Sequence, residues 1–393
     1  MTEDITTSEY DTRAAAERGD AEAQYNLGLM YWEGQGVAQD DAQALSWWRK
    51  AAEQGLAVAQ YNLGAMHTNG RGVAQDDAEA VALYRKAAGQ GYAAAQHNLG
   101  LMYQEGRGVA QDEVQAVTWY RRAADQGDVH GQFNLGMMYL DGCGVVQDDA
   151  EAVALFRKAA DQGDTDAKVR LGVMYQEGRG VAQDDTQAVH WYRKAADLGD
   201  AHAQFNLAVM YDAGWGVAED AAQAVHWFRK AADQGDALAQ YNLGVMYERG
   251  EGVAQDDAES AHWYRKAAEQ GEAVAQYNLG VMYMDGRGVV QDDAEAVRWC
   301  RKAAEQEDAE AQYKLGYMHD RGRGVAKDHV EAVRWYRKAA DQGGAHGQFA
   351  LGAMYEEGLG VEQDASQAAA WYRKAAEQGD ADAEEALCRM EGR

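Results

Sequence analysis

The sequence predicts an all-α protein with a solenoid architecture, and three observations support this prediction. A unit of 36 residues recurs ten times between residues 21 and 380 without an insertion or a deletion. Each unit contains two segments whose apolar residues recur at the three- and four-residue spacing of an amphipathic helix. Glycine-rich segments separate them, and the chain contains no proline. A fixed period of this length indicates units that pack on their neighbours, because no single unit buries its own apolar face.

The first helix of each repeat is predicted from the segment Ala-x-Ala-Gln-Tyr-Asn-Leu-Gly and the residues that follow it. We number repeat positions so that Ala21 is position 1 of the first repeat. Ala23, Leu27, Met30 and Tyr31 then lie on one face of a helix of about 13 residues. A Gly-x-Gly-Val segment follows, and both of its glycines recur in all ten repeats. This recurrence indicates either a positive φ or a close approach to another segment.

The second helix is predicted to begin after an aspartate at repeat position 20, such as Asp40. A Glu or Gln follows three residues later in every repeat, which is the spacing of a capping box. Ala44, Trp48 and Ala51 form the apolar face, and a Gln-Gly pair ends the helix with a left-handed cap. Position 35, the glycine of that pair, is Glu307 in the eighth repeat. We therefore expect backbone strain at Glu307.

Arginine stands at repeat position 29 in all ten repeats, and Lys or Arg follows it. One interpretation is a ladder that binds RNA, as in helical proteins that read one base per repeat. The alternative is structural, because these cations lie near a helix C-terminus and close to an acidic residue at position 33 in nine repeats. The formal net charge of −28 repels polyanions. We therefore expect no nucleic acid among the partners.

Composition and termini predict a folded cytoplasmic protein. Hydrophobic residues make up 47% of the chain, which is ample for a core. No apolar run approaches the roughly 20 residues that span a bilayer, so we expect no membrane insertion. The acidic beginning of the chain does not resemble an export signal. The three cysteines occupy three different repeat positions and predict no disulfide framework.

The repeat consensus resembles the Sel1-like repeat, a relative of the tetratricopeptide repeat. The matching segments are Ala-x-Ala-Gln-Tyr-Asn-Leu-Gly-x-Met-Tyr, Gly-x-Gly-Val and Trp-Tyr-Arg-Lys-Ala-Ala-x-Gln-Gly, and the resemblance covers about residues 9 to 390. It implies a right-handed superhelix of antiparallel helix pairs that serves as a scaffold or adaptor for other proteins. Some secreted members carry a disulfide within each repeat. Its absence here argues against a periplasmic or extracellular role.

The ends of the repeat array predict two caps around one continuous solenoid. Residues 1–20 carry the pattern of a second helix alone, and we predict an N-terminal capping half-repeat there. Residues 21–380 are the ten repeats. Residues 381–393 are predicted to form a C-terminal capping helix, in which Glu384 and Glu385 supply the polar face that a terminal repeat needs.

Asparagine recurs at repeat position 6, which the resemblance places on the concave face of the superhelix. An asparagine amide both donates and accepts hydrogen bonds, so a ladder of them can pair with an extended peptide whatever its sequence. In the alternative interpretation, each asparagine bonds the backbone of the next helix pair. The ladder comprises Asn26, Asn62, Asn98, Asn134, Asn206, Asn242 and Asn278.

Five basic residues depart from the repeat consensus on or near the same face and form a second group of candidates. Against the acidic background they could bind an acidic tail or a C-terminal carboxylate, and the alternative is drift between repeats. First-helix positions 2, 12 and 13 also vary widely, as expected either for recognition or for plain solvent exposure. The five basic residues are Lys168, Arg170, Arg249, Lys314 and Arg321.

The sequence thus predicts a non-catalytic scaffold or adaptor that binds a protein or an extended peptide segment on its concave face. It contains no serine-centred elbow, phosphate-binding loop or paired-cysteine metal motif, so we expect no catalytic residue, metal or cofactor. Two alternatives are a cell-envelope or hydrolase-associated factor and a self-assembling structural array. The sequence leaves the oligomeric state open.

Overall fold

The computed structural model of the protein describes residues 11–392. Within this range every regular element is a helix, and two helices occur in each 36-residue repeat. The prediction of an all-α solenoid built from helix pairs is confirmed. Residues 11–17 are helical too, whereas the first ten residues of the predicted N-terminal cap lie outside the described range.

The helices have nearly constant length and keep the register of the repeat. The first helices are Ala21–Glu33, Ala57–Asn69, Ala93–Glu105, Val129–Asp141, Thr165–Glu177, Ala201–Ala213, Ala237–Arg249, Ala273–Asp285, Ala309–Arg321 and Ala345–Glu357, followed by the terminal helix Ala381–Glu391. The second helices are Asp41–Glu53, Asp77–Gly89, Glu113–Asp125, Asp149–Asp161, Asp185–Ala196, Ala221–Asp233, Asp257–Glu269, Asp293–Glu305, His329–Asp341 and Ala365–Ala376.

The chain divides into two compact units, with the boundary between Lys194 and Ala195. Within each unit a first helix packs on the second helix of its own repeat, and that second helix packs on the first helix of the following repeat. Leucine at position 7 and alanine at position 31 are the centre of this packing, and Leu243 and Ala267 are fully buried examples. The assignment of residues 21–380 to one continuous array stays a prediction.

Aspartate at position 20 caps the second helix as predicted, but the reciprocal half of the capping box is replaced by another contact. The carboxylate of Asp292, for example, accepts hydrogen bonds from the amides of Ala294 and Glu295. The amide of Asp292 donates to the carbonyl oxygen of Tyr283 in the preceding helix, at 3.0 Å. That bond satisfies the amide, so Glu295 is free to pair with Arg298 instead.

Buried glutamines at position 4 join each repeat to the one before it. The Nε2 of Gln276 donates to the carbonyl oxygen of Ala268 at 3.0 Å, and its Oε1 accepts from Gln306 Nε2 at 2.9 Å. Gln276 is only 4% exposed, so both ends of the amide are satisfied without water. Nothing in the local sequence indicates this link, because its partners lie 8 and 30 residues away.

Position 35 adopts the left-handed conformation expected from its glycines. Glycines there have φ between 86° at Gly379 and 106° at Gly163, and Glu307 has φ 68°. A Cβ built on the glycine of the preceding repeat, Gly271, meets no atom within 4 Å. Glu307 therefore lowers the stability of the fold through its unfavourable backbone torsion angle and not through steric overlap.

We expect Glu307→Gly to raise the free energy of unfolding by about 1 kcal/mol, because glycine adopts positive φ without the Cβ penalty. Urea midpoints followed by circular dichroism measure the change. The reverse substitution Gly271→Glu is the matched control and should lower stability by a similar amount. An unchanged or lower midpoint for Glu307→Gly would show that the helix end is stabilised in another way.

Candidate functional site

The recurring arginines at position 29 are used inside the array. The arginine donates to the hydroxyl group of the tyrosine at position 11 of the following repeat, 18 residues along the chain, at Arg85, Arg121, Arg157, Arg229, Arg265 and Arg337. After Arg49 and Arg301 that position is a histidine, His67 and His319. The Arg85 Nη2 to Tyr103 Oη distance is 2.9 Å, and that from Arg265 to Tyr283 is 2.8 Å. These arginines thus contact the following repeat. The sequence instead predicts that they interact with the C-terminus of their own helix and with the acidic residue at position 33.

Where position 27 is tryptophan, the basic residue at position 30 lies over that ring in the same helix. Lys230 Nζ is 4.2 Å from the ring centroid of Trp227, and Lys266 Nζ is 4.3 Å from that of Trp263. Such cation–π contacts stabilise a partly exposed pair by about 0.5–1 kcal/mol. Both basic positions of the ladder therefore have intramolecular partners.

Arginines at position 15 form a third recurring contact between repeats. Arg107 pairs with Asp77 at 2.9 Å, and Arg179 pairs with Asp149 at 3.0 Å. Hydrogen bonding to Arg179 lowers the pKa of Asp149. The side chains remain about one-third exposed, so these pairs are partly screened by solvent.

The asparagine ladder lies on the first helices, as predicted, with its side chains open to solvent to different degrees. Asn26 is exposed, and the other six asparagines are half-buried. Asn134 Nδ2 lies 2.8 Å from His97 Nε2 of the preceding repeat, and Asn242 Nδ2 donates to the carbonyl oxygen of Leu238 in its own helix. Both contacts differ from the alternative interpretation, in which each asparagine bonds the backbone of the next helix pair.

Two further asparagines contact tyrosines of the preceding repeat. Burial raises the pKa of Tyr61, and a hydrogen bond with Asn98 acts in the opposite direction. Burial likewise raises the pKa of Tyr241, where Asn278 forms the corresponding hydrogen bond. Each asparagine has two donor hydrogens and an acceptor oxygen, so one such bond leaves hydrogen-bonding capacity for a ligand.

The five basic candidates belong to both units and differ in exposure. Lys168 is only 6% exposed, and its ammonium group donates to the backbone oxygens of Gly163 and Asp164. This differs from the open surface expected for Lys168, and the reason is its position, because position 4 faces the preceding helix. Arg170 is exposed in the first unit.

The other three basic candidates belong to the second unit. Arg249 is exposed and lies 3.8 Å from Glu251. Lys314 and Arg321 lie on one first helix, where they approach the rings of Tyr313 and Tyr317 at 5.9 Å and 6.0 Å. Lys314 and Arg321 thus lie on the same helix, each beside a different tyrosine ring.

Variation at position 12 follows the residue at position 28 of the same repeat. Tyr120 donates to Gln104 at 2.6 Å, and Tyr264 donates to Glu248 at 2.7 Å. Where position 28 carries no hydroxyl group, position 12 is apolar in three of four repeats, at Trp32, Leu140 and Met284. Position 12 therefore varies largely because its core partner varies, and it is a weaker candidate for recognition than positions 2, 6 and 13.

A metal centre and a membrane-spanning helix are two other classes of site. Residues 11–392 contain no group of three or more His, Cys, Asp or Glu side chains arranged to hold a metal ion. Across the same part of the chain, no helix combines the length and apolar character needed to cross a membrane.

Comparison with known proteins agrees with the repeat architecture. Each of the ten repeats matches the Sel1 repeat, in an unbroken series from residue 21 to residue 380. No protein among those with curated descriptions matches the chain significantly. Repeats of the Sel1 type commonly form scaffolds for protein interaction.

Two solved structures are similar over most of the chain. One is a protective antigen present in uropathogenic Escherichia coli strains displaying an SLR fold, with 43% identity over 97% of this chain and 82% of that one, and a TM-score of 0.91. The other is a Sel1 repeat protein from Oxalobacter formigenes, with 36% identity over 78% of this chain and 89% of that one, and a TM-score of 0.62. The chain is therefore a member of the Sel1 repeat family, with ten consecutive repeats.

Proposed function

We propose that the protein is a non-catalytic scaffold whose first-helix surface binds an extended segment of a partner protein. This surface comprises repeat positions 2, 6 and 13 of the first helices, and the sequence predicts it to be the concave one. A cytoplasmic location is part of the proposal.

The observation that carries the proposal is that the recurring charged residues contact other parts of the array, whereas a different set of positions remains accessible to a ligand. Most of the recurring charged residues at positions 15, 20, 29 and 30 are used in contacts within the array, as described above. Positions 2, 6 and 13 keep exposed or half-buried side chains. Positions 2 and 13 differ between repeats, and position 6 is asparagine in seven of the ten repeats. A surface whose side chains vary while the packing residues of each repeat stay the same is suited to recognition, because these side chains can change without loss of the fold.

Exposed apolar groups on this surface also favour a protein ligand. Leu238 and Val274 occupy position 2 of successive repeats and are 48% and 45% exposed. Asn242 and Asn278 stand one helical turn along the same two helices. Apolar side chains beside amide groups can contact both the side chains and the backbone of a bound segment.

We expect the triple substitution of Asn206, Asn242 and Asn278 by Ala to weaken peptide binding tenfold or more. Each lost hydrogen bond contributes about 0.5–1.5 kcal/mol net. The probe is a peptide selected on the full chain from a displayed library of random peptides, and its affinity is measured by fluorescence polarisation. Melting temperatures of the same proteins separate loss of binding from loss of structure.

The control variant is Gln255→Ala with Gln291→Ala, which removes two exposed amides from the loops that follow the first helices. It should bind the peptide as the parent does. A folded asparagine variant with parental affinity would contradict the peptide-clamp interpretation. A large fall in melting temperature with binding lost only through unfolding would favour a structural role for the ladder.

A cell-envelope role is the second candidate, and one observation favours it. The relative with 43% identity is described as a protective antigen of uropathogenic Escherichia coli. Protease treatment of intact cells and of spheroplasts distinguishes the two locations. Protection of the chain in both would support the cytoplasmic scaffold, whereas digestion in either would support the envelope role.

A further inference from the structure

The second unit contains a groove of about 430 Å³ between the ninth and tenth repeats. Its apolar lining is aromatic, with Tyr313, Tyr317 and Phe349 partly exposed and Tyr336 behind them. Tyr313 and Tyr336 pack with ring centroids 5.8 Å apart. A volume of this size is within the range of pockets that take an organic ligand or a side chain.

Two alanines of the tenth repeat help to open this groove. Ala350 occupies position 6, where seven other repeats carry asparagine, and Ala353 occupies position 9, where most repeats have a larger apolar residue. Both alanines line the groove. The combination of alanine at positions 6 and 9 occurs in no other repeat. The tenth repeat thus leaves room where its counterparts carry side chains.

The ninth repeat departs from the consensus on the opposite side of the same groove. Position 13 is acidic in most repeats but is Arg321 here, and position 19 is Gln or Glu elsewhere but is Lys327 here. Position 9 is Tyr317, the single aromatic residue found at that position among the ten repeats. All three residues line the groove. Departures gathered around one cavity indicate a local function rather than random drift.

The charges at the groove are complementary to an anionic ligand. The Arg321 side chain is 68% exposed, and Lys327 is exposed as well. Of the two acidic residues in the lining, Asp320 is engaged by His329 at 2.9 Å and lies 3.4 Å from Arg321. Glu357 is the other. The chain has a formal net charge of −28, and the two exposed cations at the groove reduce the repulsion that an acidic ligand meets there.

We propose that this groove binds an acidic peptide segment of a partner protein by enclosing one large apolar or aromatic side chain, with Arg321 and Lys327 pairing with its carboxylates. The proposal rests on the proposed scaffold function and assigns it a specific subsite and ligand chemistry. Aromatic side chains of the lining supply the contact area, and Arg321 supplies a planar donor pair that matches a carboxylate.

The test uses the full chain and a displayed peptide library in which one tryptophan is fixed and the flanking residues are random. We expect enrichment of Asp and Glu beside the tryptophan. Binding of the selected peptide should weaken at least tenfold in Arg321→Glu/Lys327→Gln and in Ala350→Asn. Each change installs a residue that other repeats carry at the same position, so the fold should persist, and melting temperatures verify this.

The matched control is Arg298→Glu, which makes the same charge reversal at a 57% exposed side chain on a second helix. It should leave peptide binding unchanged. Selected peptides without acidic enrichment, or with equal affinity for the groove variants, would overturn the groove proposal. If such peptides still lose affinity in the asparagine triple variant, the scaffold function stands without this subsite. A failure to select any peptide would count against both.

Discussion

We expect Gly288→Ala to lower the free energy of unfolding by about 2–5 kcal/mol, because two costs add at this position. Gly288 has φ 65°, a left-handed conformation in which a Cβ is unfavourable. A Cβ built there would also overlap the backbone carbonyl group of Asp257, at the start of the second helix of the preceding repeat. The backbone of one repeat passes directly over the helix of another, so neither segment can move without disturbing the packing.

The measurement is urea unfolding by circular dichroism, with hydrogen exchange in the helices Asp257–Glu269 and Asp293–Glu305 to localise the damage. Repeat arrays lose stability mainly at the altered unit and its neighbours, so the effect should concentrate there. Gly271→Ala is the control, because Gly271 also has positive φ but a Cβ there meets no atom within 4 Å. Equal losses in the two variants would mean that conformation alone, and not close approach, explains the glycine at position 16.

The second large effect is expected from Gln276→Glu, which keeps the shape of the side chain and removes its donor. The new carboxylate would face the carbonyl oxygen of Ala268 in a site that is 4% exposed. Only the hydrogen bond from Gln306 would remain. A buried charged group without its full set of partners costs about 3 kcal/mol.

The loss of stability in Gln276→Glu should become smaller as the pH falls. Burial should raise the pKa of the new carboxyl group in the folded protein above its unfolded value of about 4.3. The penalty is then fully present above the folded pKa. It decreases as the pH falls through that pKa and disappears below the unfolded value, because the protonated acid can donate to Ala268. The measurement is the difference in melting temperature between the parent and the variant at several pH values. This difference should become smaller as the pH falls.

Gln291→Glu is the control for added charge. Gln291 is exposed at position 19, where the sixth repeat already carries Glu219, so we expect a change within about 0.5 kcal/mol. A loss in Gln276→Glu that equals the control, or that does not shrink at low pH, would exclude a buried amide link as a source of stability.

The sequence alone was sufficient for the features that depend on neighbours along the chain. Helix periodicity, the aspartate cap at Asp292 and the left-handed position of Glu307 follow from interactions within about four residues, and the structure agrees with each. The ten-fold recurrence adds long-range information, because it shows which positions must pack in every repeat.

The tertiary structure decided what the recurring polar residues do. The arginine at position 29 donates a hydrogen bond to a tyrosine 18 residues further along the chain, as Arg265 does to Tyr283. The glutamine at position 34 donates to a second glutamine 30 residues earlier, as Gln306 does to Gln276. Lys168 and Lys314 are both basic departures from the consensus, yet one is buried and the other lies over the ring of Tyr313. Such partners come together only when helices pack, so a sequence can indicate that a residue recurs without indicating which side chain it contacts.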